Sequence, residues 1–213
     1  LPLMKRLNKS GMLFHVARDE KVEGEDVHPA VTSVLRQYNL QLKEEMGAAD
    51  LKEGQGFKIA MRGLDGGRIN IATLSIGTAQ AALEEAQQHM NEREQFGKKI
   101  GEFQALQFKL ADMTTNLVAA RQLVRLAASK LENNDPDSTT FCAMAKRFAT
   151  DVGFEVCNEA LQIFGGYGYI QDYPLERYVR DVRVHQILEG TNEIMRMIIG
   201  RRMLLEGATR IIQ

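Results

Sequence analysis

No apolar run in this 213-residue chain approaches the ~20 residues that a helix needs to cross a bilayer, which excludes a helical membrane span. The start of the chain lacks the basic end, apolar stretch and small-residue cleavage site of a secretory signal. Lys5, Arg6 and Lys9 are compatible with a transit segment, but Asp19, Glu20 and Glu23 follow too soon for one. A soluble protein is expected. Cysteine is scarce, with Cys142 and Cys157 alone; if one helix carries both, their spacing spans roughly 22 Å, far beyond disulfide reach. Both read as buried thiols of a reducing compartment. An excess of one charge is missing too: 27 basic residues stand against 28 acidic ones, so no field exists to hold nucleic acid or an anionic membrane. His15, His28, His89 and His185 sit at no metal-ligand spacing, and neither Cys-x-x-Cys nor His-Glu-x-x-His occurs, so no metal site is expected. Internal repeats and low-complexity tracts are absent as well.

What is present is helical periodicity. With 44% hydrophobic residues the chain can fill one domain core. Leu106, Leu110, Met113, Leu117, Ala120, Val124, Ala127 and Leu131 step by three or four, which predicts one helix from about Gln104 to Leu131. The turn-forming run Asn133-Asn134-Asp135-Pro136-Asp137-Ser138 ends it. A second stripe, Phe141, Ala145, Phe148, Val152, Val156, Ala160 and Ile163, stops at Gly165-Gly166. An earlier helix from roughly Arg68 to Glu92 carries Ala79, Ala81, Ala82 and Ala86, which allow close helix approach. A last one starts near Thr191, with Ile194, Met197, Ile198 and Leu205 on one side. Pro174 to Val184 adds a short helical turn. The fold class is therefore all-α, an antiparallel four-helix bundle. Residues 1–53 form an arm and connector of no readable chemistry, with a possible helix from Ala30 to Met46; residues 54–213 form the bundle.

Four segments carry candidate chemistry. Ile187-Leu188-Glu189-Gly190-Thr191-Asn192-Glu193 sets a carboxylate between apolar residues and a helix start. Apolar surface favours the protonated carboxyl and a helix amino terminus the ionised one, so Glu189 suits a general base whose proton affinity follows occupancy. It equally suits an acid that merely complements the helix dipole. Thr191 is the helix cap, a phosphate contact, or both. Arg93-Glu94-Gln95-Phe96-Gly97 reads as a cation and turn at a helix end, or as a pyrophosphate ligand and a stacking surface, with Gln104 as a nearby amide. Asp65 and Arg68 are a local ion pair or part of a pocket. Gly165-Gly166-Tyr167-Gly168-Tyr169 follows a helix instead of a strand and lacks a phosphate-loop lysine, so alone it is a helix-ending turn.

Taken in order, these segments resemble the acyl-CoA dehydrogenase family, from about Gly54 to Leu205. Gly56-Phe57-Lys58-Ile59-Ala60-Met61 resembles the end of that family's middle β-domain, and Leu64-Asp65-Gly66-Gly67-Arg68 the start of its first carboxy-terminal helix. Arg93-x-x-Phe96-Gly97, Gln104, Leu110-Ala111-Asp112-Met113, Gln162-x-x-Gly165-Gly166-x-Gly168-Tyr169, Arg180-Asp181 and Glu189-Gly190-Thr191 follow at family-like intervals. The resemblance implies the family's carboxy-terminal helical bundle and FAD-dependent α,β-dehydrogenation of an acyl-CoA to the 2-enoyl-CoA, with electrons passed on to an electron-transferring flavoprotein. It implies Glu189 as base, and Asp65, Arg68 and Gly190 on the substrate. Arg93, Phe96, Gln104, Gln162, Gly165 and Gly166 would reach the FAD of a neighbouring subunit, with Thr191 and Glu193 near the chain's own. Some relatives carry the base at the position of Gly67, which here has no side chain. A homodimer or homotetramer follows, and so does a setting in fatty-acid or branched-chain amino-acid catabolism, cytoplasmic if bacterial and in the mitochondrial matrix if eukaryotic. Leu188 and the Leu-Asp-Gly-Gly-Arg run lean toward short or branched substrates such as isobutyryl-CoA. A complete family subunit is nearly twice as long, so a truncated, non-catalytic assembly module of the same family is the alternative reading. The resemblance leaves open whether FAD binds without the remaining domains.

Overall fold

The computed structural model describes residues 56–207 and residue 211. The expected arm helix, the connector before Gly56, His15 and His28 lie outside them. The chain divides into units Leu1–Ala60 and Met61–Gln213, and the packing below is that of the second.

Among the described residues five helices carry the fold: α1 (Gly56–Glu92), α2 (Gln104–Glu132), α3 (Ser138–Phe164), α4 (Leu175–His185) and α5 (Asn192–Glu206). Between α1 and α2 lies a small antiparallel hairpin of β1 (Glu94–Gln95) and β2 (Lys98–Lys99), and a single helical turn, Gly166–Tyr169, follows α3. The periodicity places α2 and α3 correctly. Asn134, at φ 52°, turns the chain between them, and Gly165 ends α3 at φ 61° with its amide on Gln162 O at 3.1 Å.

Two boundaries differ from expectation. Helix α1 begins at Gly56 instead of near Arg68, so Gly56–Met61, likened above to the end of a β-domain, is helical here. A strand needs a neighbour to complete its backbone bonds, and among the described residues the only strands are β1 and β2. Gly66 and Gly67 cost about 1 kcal/mol each in helix propensity, yet the buried Asp65 and Arg68 on either side hold the helix through them. Pro174 to Val184 is more than a turn, because Leu175, Tyr178, Val179 and Val182 form a stripe packed on the core.

Side-chain pairs fix the helix directions. Arg121 bonds Gln80 at 2.6 Å and Arg62 bonds Asn134 at 3.3 Å, so α2 runs antiparallel to α1. Lys109 pairs with Glu159, and the Lys130 ammonium lies 4.5 Å from the Phe141 ring centre, so α3 reverses α2 and runs parallel to α1. Asp65 meets Thr139 at 2.7 Å, and His89 stacks on Phe164 at 4.1 Å. Helices α4 and α5 return, with His185 on Ser75 at 2.8 Å and Arg202 on Asp137 at 3.1 Å. The bundle is therefore up, down, up, down, its last leg made of two helices.

Small residues let α1 and α3 approach closely. Ala72, Ala79, Ala82 and Ala86 are fully buried, as are Ala143, Ala145 and Ala160. A Cβ on Gly153 would lie 3.0 Å from Ser75 Cβ and 3.1 Å from Ser75 O, leaving no room for a side chain. Cys142 and Cys157 are both buried on α3; burial pushes each thiol up to about 12, so both stay protonated and inert. On α5 the expected stripe does not form core: Ile194 and Met197 are about 40% exposed and Leu205 is 82% exposed. Asn192 and Met195 are the buried residues of that helix, because they, and not the apolar stripe, face α3.

Candidate active site

The expected site residues gather at two separate places. Glu189, Gly190, Thr191, Asp65 and Arg68 lie toward the end of the bundle where α3 begins, around the junction of α4 and α5. Arg93, Phe96, Gln104, Gln162, Gly165 and Gly166 lie at the other. From Gly67 to Glu92 along α1 is roughly 38 Å at 1.5 Å per residue, so the two groups do not meet within one chain.

At the first end, α4 is followed by a tight turn that carries the carboxylate. Leu188 N bonds Val184 O at 3.0 Å and Asn192 N bonds Gln186 O at 3.0 Å. Between these bonds the chain takes two successive positive φ values, Glu189 at 54° and Gly190 at 88°. Glycine adopts this region freely, whereas glutamate is strained there. No backbone bond of this turn, among the described residues, uses the Glu189 amide. The half-buried Glu189 side chain turns back onto α1, and a Cβ on Gly67 would sit 2.5 Å from Glu189 Oε2. Gly67 is thus the vacancy in α1 that the carboxylate fills. On either side of it, Arg68 bonds Asp65 at 2.6 Å with both residues buried, and Asp65 also accepts from Thr139. This is the local ion pair of the sequence reading, but one that faces inward. Arg68 Nε is buried and makes no hydrogen bond, an orphaned donor of the kind a ligand satisfies.

Thr191 caps α5, its hydroxyl accepting from Ile194 N at 3.4 Å. Glu193 is exposed and takes hydrogen bonds from its own amide and from Thr191, which hold its carboxyl below the usual range. Its ion pair with Arg196 at 3.7 Å is exposed and worth little.

Beneath this turn is a group that the sequence reading passed over. Lys146 of α3 is fully buried, and its Nζ donates to Gly190 O and to Asn192 Oδ1, both at 2.8 Å. Asn192 Nδ2 donates in turn to Thr150 Oγ1 at 2.9 Å and Asp151 Oδ1 at 2.7 Å. Asp151 also accepts from Gln186 and Arg196. The available signal was a lysine amid the small residues Cys142, Ala143, Ala145 and Ala149 of α3.

At the other end, a two-residue turn between β1 and β2 has Phe96 at φ 54° and Gly97 at φ 77°. A turn positive at both central positions matches the twist of a hairpin but favours Asn-Gly, so phenylalanine there is strained. Its ring is 92% exposed, edge-on to Phe103 at 6.2 Å. The Arg93 guanidinium stands over Tyr167 at 5.5 Å, and Tyr167, Tyr173, Phe164 and His89 continue as a ladder of ring contacts. Gln104, Gln162, Gly165 and Gly166 are all exposed. This end offers a cation, a free aromatic face, amides and glycine backbone. Among the described residues no group of three or more His, Cys, Asp or Glu could hold a metal ion, and no helix is long and apolar enough to cross a membrane.

Residues 54–204 match the family model described as "Acyl-CoA dehydrogenase, C-terminal domain". The chain is 47% identical over 189 residues to the mitochondrial isobutyryl-CoA dehydrogenase of Bos taurus, covering 89% of this chain and 44% of that protein. That alignment is longer than the 54–204 stretch and so reaches residues that the sequence reading left unmatched. Among solved structures, the butyryl-CoA dehydrogenase of Megasphaera elsdenii is 50% identical with a TM-score of 0.70, over 72% of this chain and 40% of that one. A chain in a structure described for the electron transferring flavoprotein of Acidaminococcus fermentans is 54% identical with a TM-score of 0.70, over 72% and 40%. The chain therefore spans less than half the length of the relatives it matches.

Proposed function

The chain belongs to the acyl-CoA dehydrogenase family, and from that premise we propose that it serves the α,β-dehydrogenation of a short or branched acyl-CoA thioester, with Glu189 as the base. The observation that carries this reading is the strained Glu189 turn, which aims a carboxylate into the space left by Gly67. Strain of this sort costs about 1–3 kcal/mol and persists where the surroundings over-determine it. In some relatives the base stands at the Gly67 position, and here the Glu189 carboxylate occupies that same place.

In this reading a Glu189 carboxylate oxygen takes the α proton. The Glu189 amide donates to the thioester carbonyl oxygen and stabilises the enolate charge as it develops, a donor worth about 3 kcal/mol. Arg68 Nε, buried and without an acceptor, donates to the substrate, and Asp65 holds its guanidinium in place. FAD, when bound, accepts the electron pair that leaves with the β hydrogen. The exposed groups of the hairpin end fit such a cofactor: Arg93 for pyrophosphate, Phe96 as an aromatic face, and Gln104, Gln162, Gly165 and Gly166 for hydrogen bonds and close approach. The family resemblance assigns them to the FAD of a second copy, with which their distance from Glu189 along α1 agrees, and the working unit would then be a homodimer or homotetramer. Thr191 and Glu193 would hold the chain's own flavin, whose electrons would pass to an electron-transferring flavoprotein. The exposed Ile194, Met197 and Leu205 agree with assembly.

The test is an anaerobic absorbance titration of the FAD-loaded chain with butyryl-CoA and isobutyryl-CoA. The native chain is expected to lose its visible flavin band, and Glu189→Gln to keep both FAD and band. A stable oligomer that takes up no FAD would instead identify a non-catalytic assembly module.

A further inference from the structure

We propose that Lys146 is the positioning residue of the Glu189 turn: its buried ammonium holds Gly190 O and Asn192 Oδ1, and thereby the left-handed backbone that aims the Glu189 carboxylate. A lysine sealed inside a helix bundle is costly to keep. Among the described residues this one has no direct carboxylate partner; both of its acceptors, at 2.8 Å, belong to the segment that follows Glu189. One acceptor is the main-chain carbonyl of Gly190, the second of the two residues at positive φ. The other is Asn192, the first residue of α5, itself locked by Thr150 and Asp151. The turn is therefore tied to α3 at two points, while the Glu189 carboxylate rests against Gly67 on α1. A lysine that served only to fill the core would not need to reach the backbone of a turn held at two successive positive φ values.

Charge surrounds Lys146 from every element packed on it. Asp151 on its own helix, Glu193 on α5 and Glu189 in the turn favour the ammonium, while burial and Arg68 on α1 oppose it. His185, at the end of α4, also feels its charge. Burial prevails and brings the lysine down to about 8 from its ordinary 10.5. Loss of this proton removes the charge from both hydrogen bonds, so the tether weakens at mildly alkaline pH.

The functional meaning of this tether rests on the reading of Glu189 as base, but its test does not. In the full chain, amide hydrogen exchange is followed at Leu188 and Asn192, whose amides close the turn, and at Ala79 and Ala82 in mid-α1 as controls. Lys146→Met keeps the volume and removes the donors. We expect exchange at Leu188 and Asn192 to rise about tenfold relative to the controls. Should the methionine variant not fold, the native chain decides alone. Between pH 7 and 9.5, the Lys146 Cε resonance and the Gly190 and Asn192 amide resonances are expected to titrate together. Unchanged relative exchange in a folded Lys146→Met chain overturns the proposal, as does a Lys146 titration that leaves Gly190 and Asn192 unmoved. Neither measurement involves flavin or thioester, so a chain that fails the bleaching test can still pass this one.

Discussion

The two ends of the bundle solve opposite problems with the same device. Each places a non-glycine residue at positive φ, Glu189 at one and Phe96 at the other, with a glycine next in the chain. At the Glu189 end the strain is held from within by a buried polar network that runs from Lys146 through Asn192 to Thr150 and Asp151. At the Phe96 end the strained residue is almost wholly in solvent, fastened by a hairpin of two residues a side and by the Ile100 amide on Arg93 O at 2.8 Å. The difference separates a turn held by a buried network from one that stands in solvent.

The comparison can be broken most severely at Gly67. Alanine there would set a Cβ against the Glu189 carboxylate, which is the movable end of a side chain. Flavin reduction is expected to slow about 100-fold, the cost of a misplaced reacting group, while the denaturation midpoint holds or rises, because alanine removes the helix cost of Gly67. A Gly67→Ala chain with native kinetics would remove the geometric basis of the site. Next in size is Gly153→Leu, which forces a side chain between α3 and the Ser75 backbone. Overpacking there is expected to lower stability by about 1–3 kcal/mol in chemical denaturation, and an unchanged midpoint would mean that the helices are not so closely packed.

At the other end the prediction is reversed, with stability spared and binding lost. Arg93→Ala is expected to weaken FAD retention roughly tenfold, one charge-assisted contact being worth about 1.5 kcal/mol or more, and Phe96→Ala up to about tenfold through a lost aromatic contact. Thermal midpoints without FAD should stay within about 0.5 kcal/mol of native, as for exposed positions generally. Equilibrium dialysis against FAD reads the first and thermal melts the second. A melt that falls while retention holds would make these residues structural.

The smallest effect is one of pH. Burial lowers His185 below its ordinary 6.5, and burial with Arg93 nearby lowers His89 in the same sense. The unfolded chain therefore takes up these protons more readily than the folded one. The associated stability is complete above about 6.5 and is lost as the pH falls below it. His185→Gln should flatten part of that decline in denaturation midpoints taken from pH 8 to pH 5, leaving the share of His89. A variant with the full native slope would exclude His185.

How much of this was legible in the sequence follows from which forces are local. Helices α2 and α3 were readable because their stripes and the turn between them are encoded within a few residues of each break. The Thr191 cap and the Gly165 stop were readable for the same reason. The hairpin was not, since Phe-Gly carries none of the preference for a doubly positive turn that Asn-Gly would have shown. The extension of α1 was hidden by Gly66 and Gly67, and the reason for the second lies across the fold at Glu189. Lys146 escaped for a similar cause: its partners are 44 and 46 residues away, and sequence spacing says nothing of such a distance. The Ile194, Met197 and Leu205 stripe was visible, but periodicity reports that a face is apolar and not what it meets.

Proton removal by Glu189 is most directly read by exchange at the substrate. The FAD-loaded chain, incubated anaerobically with isobutyryl-CoA in deuterium oxide, is expected to place deuterium at the α carbon, as followed by mass spectrometry of the recovered thioester. Glu189→Gln, with the same bound FAD, is expected to place none above the buffer control. Deuterium incorporation by Glu189→Gln at the native rate would show that another group takes the proton and would contradict this account of the site.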